Sequence, residues 1–141
     1  MDRYRSQVRE VINRNIVASL ALEQGFNVFL PVYDGGVDFI LHHEGDGRLR
    51  RVQLKGRWTI DRKYIGRDIW IAFPAAGDWY LVPHDEMVRT AGSGVLESAS
   101  WTGPGIYSRP QLSKELMASC APYRFAPIAE VAADAAAEEG A

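Results

Sequence analysis

GVDFILHHEGDGRLRRVQLKGR, residues 36–57, decides how the rest of the chain is read. Two runs in it, GVDFIL and RRVQLKGR, alternate in the manner of strands, and the Gly-Asp-Gly between them has the composition of a hairpin turn. The first run carries Asp38, and the second carries Gln53 and Lys55. Inward positions of a half-buried strand normally go to apolar side chains, because burying a carboxylate or an ammonium without partners costs several kcal/mol. Gln53 and Lys55 are two residues apart and share a face, while Val52 and Leu54 point the other way. A turn on Gly45-Asp46 sets Asp38 opposite Gln53, and one on Asp46-Gly47 sets it opposite Lys55. Either turn gathers all three on one face. A three-residue turn or a bulge would part them.

Upstream, Val8, Val11, Ile12, Ile16, Leu20 and Leu22 follow a helical stripe between Tyr4 and Gln24, and Gly25 stands where a C-cap glycine belongs. FNVFLPV, DIWIAFP and DWYLVP join the two runs above as short segments rich in branched and aromatic residues, each bounded by Gly, Pro or Asp. Four or five strands behind one long helix predict an α/β (α+β) sheet domain. HDEMVRT and Gln111 to Ser119 read as short helices, and AGSGVLESASWTGPGIYSRP as a loop in which VLES could form a strand.

A chain of 141 residues suits one core, which we place over residues 1–127, leaving 128–141 as an Ala-rich acidic tail. The 47% hydrophobic and 24% charged content is that of an ordinary globular protein. No stretch nears the ~18 consecutive apolar residues of a membrane helix. The N-terminus, MDRYRSQVRE, has charges where a signal peptide needs its apolar segment, so the expected setting is cytoplasmic, with no membrane partner. The one cysteine, Cys120, has no disulfide partner within the chain and reads as a small buried hydrophobe.

A net charge of −2 argues against coating nucleic acid by bulk charge. The distribution is more telling. Eight of the 16 basic residues lie between Arg48 and Arg67 against a single acid, Asp61. Such a segment is either a solvated strand edge or a strip that faces phosphates, with Arg57, Arg62, Lys63 and Arg67 as its backbone contacts. Around a divalent cation the three strand residues make chemical sense. Asp38 can bind Mg²⁺ (or Mn²⁺) directly, with Gln53 and the backbone carbonyl of Leu54 adding neutral oxygens. Lys55 would then orient the attacking water and offset charge building on a phosphate. The plain alternative is an exposed Asp38–Lys55 pair worth under ~1 kcal/mol.

The order of these features resembles the PD-(D/E)-x-K nuclease superfamily. A leading helix is followed by D38FIL, a turn, VQLK55, a basic segment reaching Lys63 and Tyr64, and then DIWIAFP and DWYLVP. It looks most like the branch of Holliday-junction resolvases and group I intron homing endonucleases, where Q-x-K can replace E-x-K. The resemblance covers residues ~10 to 90, over motifs that are short and degenerate. It implies a restriction-endonuclease-like central mixed sheet of four to five strands flanked by helices. It also implies Mg²⁺-dependent hydrolysis of double-stranded DNA, with metal and catalytic roles on Asp38, Gln53 and Lys55. Catalytic dimers are frequent in the family, so a homo-oligomer is a further expectation. Two departures stand out: Val37 replaces the proline before Asp38, and the helix window where many members place a glutamate reads Asn13, Arg14, Asn15. Glu10, one turn earlier, is the nearest acid. A relative that binds nucleic acid or protein without cutting is therefore the alternative expectation.

His42 and His43 are adjacent on a strand and point to opposite faces, which suits a polar hairpin rim better than chelation. His84-Asp85-Glu86 reads as a helix start. Trp70 and Trp79 are expected in packing, and Trp58, close after Lys55, at a DNA interface.

Overall fold

Helix α1 spans Asp2–Glu23 and stops where Gly25 takes a φ of 89° and gives its N–H to the Leu22 carbonyl at 3.1 Å. A side chain at that left-handed position would be strained, which is why glycine ends the helix there. The computed structural model describes residues 2–127, and the tail read at 128–141 lies outside the described residues. Strands β1 (Phe26–Phe29), β2 (Phe39–His43), β3 (Leu49–Leu54), β5 (Ile69–Ala75) and β6 (Asp78–Pro83) form one sheet in the order β1-β2-β3-β5-β6. All neighbours are antiparallel except β3 and β5, which are parallel. β4 (Trp58–Asp61) pairs with β7 (Ile106–Arg109) in a second, two-stranded sheet. Helices α2 (His84–Thr90), α3 (Ser93–Leu96), α4 (Ala99–Thr102) and α5 (Lys114–Cys120) complete a mixed α+β architecture. Among the described residues, no helix is long and apolar enough to cross a membrane.

Alternation along the strands divides the core in two. On one face Ile69, Ile71, Phe73, Tyr80 and Val82 pack with Trp58, Ile60, Tyr64, Met87, Trp101, Leu116 and the thiol of Cys120, whose pKa burial pushes up to about 11. On the other, Phe26, Phe39, Leu41, Val52, Ala72 and Leu81 meet α1 and Phe125. From α1 itself, Val17 and Ala21 are the fully buried side chains. An apolar stripe on a helix is ordinarily its buried face. Here Val8, Val11, Ile12, Ile16 and Leu22 are all exposed, Val11 at 51% and Leu22 at 60%.

The structure departs from the sequence reading elsewhere too. β3 ends at Leu54, three residues short of Arg57, and β2 begins at Phe39, so Asp38 stands just outside its strand. VLES is no strand, because Ser93–Leu96 is a short helix. β4 and β7, about fifty residues apart, pair where the sequence showed a loop. Trp58 is corrected outright: at 1% exposure it fills the core, edge-on to Tyr107 with centroids 6.4 Å apart, and offers no face to DNA. Burial of so large an apolar ring outweighs any stacking it could offer outside.

Candidate functional site

The β2–β3 register sets Phe39 opposite Val52 and His42 opposite Leu49. This is the pairing of a turn on Gly45-Asp46, although the loop runs wider, with His43 N–H to Arg48 O and Gly47 N–H to His43 O, both at 2.8 Å. One step further the register sets Asp38 across from Gln53. There the ladder gives way. The Asp38 N–H donates to the Val52 carbonyl at 2.8 Å, and the Asp38 carboxylate accepts the Leu54 N–H at 2.6 Å. A side chain has replaced the strand carbonyl that would normally continue the pairing. Because the N–H and C=O of a strand residue leave by the same edge, the Leu54 carbonyl faces the side from which Asp38 approaches.

Burial pushes the Asp38 pKa up. The Leu54 N–H opposes that shift, the neighbouring carboxyl of Asp34 adds to it by like charge and hydrogen bonding, and Arg14 on α1 opposes it by charge. Asp34 is held in turn by an acceptor bond from Gly36 N–H at 3.0 Å. Two carboxyls therefore meet where the sequence suggested one. Its one signal was the four-residue spacing in D34GGVD38, reachable only because the loop folds back at Gly36. Arg14 lies in the helix window where the resemblance would put a glutamate; its Nε is buried without a hydrogen-bond partner among the described residues.

Gln53 shares its face with Ile71, its parallel partner in β5. Its Oε1 is buried and has no hydrogen-bond partner among the described residues. A buried carbonyl oxygen without a donor is costly and uncommon, and a cation is one natural complement. Lys55 extends β3 by giving its N–H to Ala72 O at 2.9 Å. Its Nζ stands 5.7 Å from the ring centroid of Tyr64. Tyr64, 3% exposed, links the groups: burial raises its pKa, and the charges of Asp61, Asp38 and Asp34 raise it further.

The basic strip does not hold together as one surface. Arg48 pairs with Asp46 at 2.6 Å, and Arg50 lies 4.0 Å over the Trp70 ring, on the α1 side of the sheet. Arg62 donates to Gly103 O at 2.7 Å, and Lys63 lies 3.7 Å from Asp61. Arg57 and Arg67 are exposed. A cavity of about 540 Å³ opens instead between α1 and the end of β3, lined by Arg5, Ser6, Arg9, Glu10 and Asn13 from the helix and by Gln53, Leu54, Lys55 and Gly56. Glu10 is exposed yet lies in this wall, beside the residues expected to hold metal.

His84, at 1% exposure, is structural. Its Nε2 accepts the Asp61 N–H at 2.9 Å, and burial lowers its pKa, with Asp85 opposing. Asp85 accepts the Gly66 N–H at 3.0 Å, and Glu86 pairs with Arg89. His43 Nδ1 takes the Gly45 and Asp46 amides, each at 3.1 Å, while His42 faces Glu44.

Among the described residues, no three His, Cys, Asp or Glu side chains gather as a metal-holding set. A cation here would rest on the Asp34–Asp38 pair and neutral oxygens. No family model matches this chain, and no curated protein shows significant similarity to it.

Proposed function

We propose that this protein is a metal-dependent nuclease that hydrolyses DNA phosphodiesters at the open end of the β2–β3 hairpin. The observation that carries the reading is the buried Oε1 of Gln53, without a hydrogen-bond partner among the described residues, across from a carboxyl pair, Asp38 and Asp34. Mg²⁺ or Mn²⁺ fits that donor set, because both take oxygen ligands and neither needs an all-protein cage. Asp38, Asp34, Gln53 Oε1 and the Leu54 carbonyl would hold it, and when bound it supplies Lewis acidity to the phosphodiester. Lys55 offsets charge on the phosphate from the same face, with Tyr64 fixing the direction of its stem. The exposed Arg57 and Arg67 form no ion pair among the described residues and would meet the backbone.

A second reading is favoured by one specific contact. The Asp38 carboxylate already caps the Leu54 N–H and feels Arg14, so it serves the fold without any metal. A protein that binds nucleic acid and does not cut would need no more. Incubation of duplex and branched DNA with Mg²⁺ or Mn²⁺ separates the two. The nuclease reading expects cleavage, lowered about 10²–10³-fold in Lys55→Ala and abolished in Asp38→Asn. Calorimetric titration with Mn²⁺ should show binding to the wild type that Asp38→Asn loses. Cleavage that survives both substitutions, or a wild type that binds DNA and never cuts it, overturns the hydrolytic reading.

A further inference from the structure

The charges of α1 run against its own electrostatics. A helix favours anions near its N-terminus and cations near its C-terminus. Beyond Asp2 in its first turn, α1 has Arg3 and Arg5 in its opening turns and Arg9 one turn on, while its last turn carries no basic residue and ends on Glu23. Arg5 and Arg9 are also four apart, a spacing at which like charges repel. Local helix stability does not explain this pattern.

Several other cations have partners, while Arg57 and Arg67 are exposed and form no ion pair among the described residues. Arg48, Lys63, Arg89 and Arg124 are ion-paired with Asp46, Asp61, Glu86 and Asp78, and Arg62 is bound to Gly103. Arg5, Arg9 and Lys55 form no ion pair among the described residues, and all three line one cavity against a single acid, Glu10. Ser6 and Asn13 add neutral donors to the same wall. At Gly56 an added Cβ would meet nothing within 4 Å, so the strand side of the cleft is open.

We infer that the cleft between the first three turns of α1 and the end of β3 is a phosphate-binding track. It receives the sugar-phosphate backbone of DNA on Arg5, Arg9 and Lys55 and leads it to Gln53. The assignment rests on the reading of Gln53 and Lys55 as a phosphodiester site, and it moves the strand path from the Arg62–Lys63 side of the molecule to α1. Arginine suits the role, since its planar fork matches phosphate oxygens.

Fluorescence anisotropy with a labelled DNA duplex, in EDTA and over a range of KCl concentrations, tests the track apart from any chemistry. Arg5→Gln with Arg9→Gln should weaken binding and flatten the slope of log K against log [KCl] by about 2, one phosphate contact per arginine. The thermal midpoint should equal or exceed that of the wild type, because the helix loses an unfavourable charge pattern. Gly56→Glu, which places a carboxylate in the open cleft without a steric clash, should weaken binding too. Removing the same charge elsewhere, by Arg89→Gln with Lys114→Gln, should leave most of the slope. Equal losses in the two double variants would overturn the track, as would a wild type that binds no duplex at low salt. Because EDTA removes divalent ions, a working track on a protein that never cleaves DNA would sink the hydrolytic reading alone.

Discussion

The two faces of the central sheet are covered in contrasting ways. One lies under β4, β7 and four short helices, whose side chains join Ile71, Phe73, Tyr80 and Val82 in a large apolar cluster. The other meets one long helix that commits two fully buried side chains, Val17 and Ala21, and leaves most of its apolar stripe outside. Stability therefore concentrates on the first face. The N-terminal turns of that helix instead line the cavity with Gln53, Leu54, Lys55 and Gly56 at the end of β3. A lightly seated helix can form one wall of a site without the core being disturbed.

The sharpest test of that contrast is a truncation on each face. Trp58→Ala should cost about 3–5 kcal/mol, because it empties the middle of the well-covered face, whereas Val17→Ala should cost only about 1–2 kcal/mol. Urea unfolding of the two variants measures the difference, and equal losses would mean that α1 is as well anchored as β4. Next comes His84→Ala, which leaves the buried Asp61 N–H without its acceptor and should cost roughly 2–3 kcal/mol. Its pH dependence has a definite sign. The folded-state pKa of His84 is depressed by burial, so its contribution is present above the ordinary histidine value and is lost as pH falls through the folded one. Unfolding midpoints of the wild type should drop over that interval, and those of His84→Ala should drop less.

Asp38 gives the smallest effect and the opposite sign. Its pKa is raised in the folded protein, so its contribution is full below the ordinary aspartate value and fades as pH rises through the folded one. Asp38→Asn keeps an acceptor for the Leu54 N–H and should flatten that decline. Asp38→Ala also removes the acceptor and should cost about 1 kcal/mol more than the asparagine variant. A steeper decline in Asp38→Asn than in the wild type would remove the like-charge pairing with Asp34.

Most of the sheet could be read before it was seen, because its strands are short runs punctuated by breakers and Gly25 marks the helix end. The β2–β3 register was legible to within two choices, since a buried face permits few others. What escaped was non-local. The β4–β7 pairing joins segments far apart in the chain, and Trp58 on β4 is buried. Hydrophobic periodicity marked α1 as a helix without saying which face would find a partner. Asp34 and Arg14 reach Asp38 by loop and helix placement, which no spacing rule encodes. Arg5 and Arg9 were visible as an i, i+4 pair, but their meaning needed the cavity beneath them.

The carboxylate that holds the Leu54 amide at 2.6 Å has a practical corollary. Any ligand drawing electron density from those oxygens must loosen the proton they share with the backbone. The Leu54 resonance in a nitrogen-15 spectrum thus becomes a built-in gauge of occupancy. Its shift and its exchange with deuterated solvent would follow a titrated ion directly, in a sample where nothing is being cut.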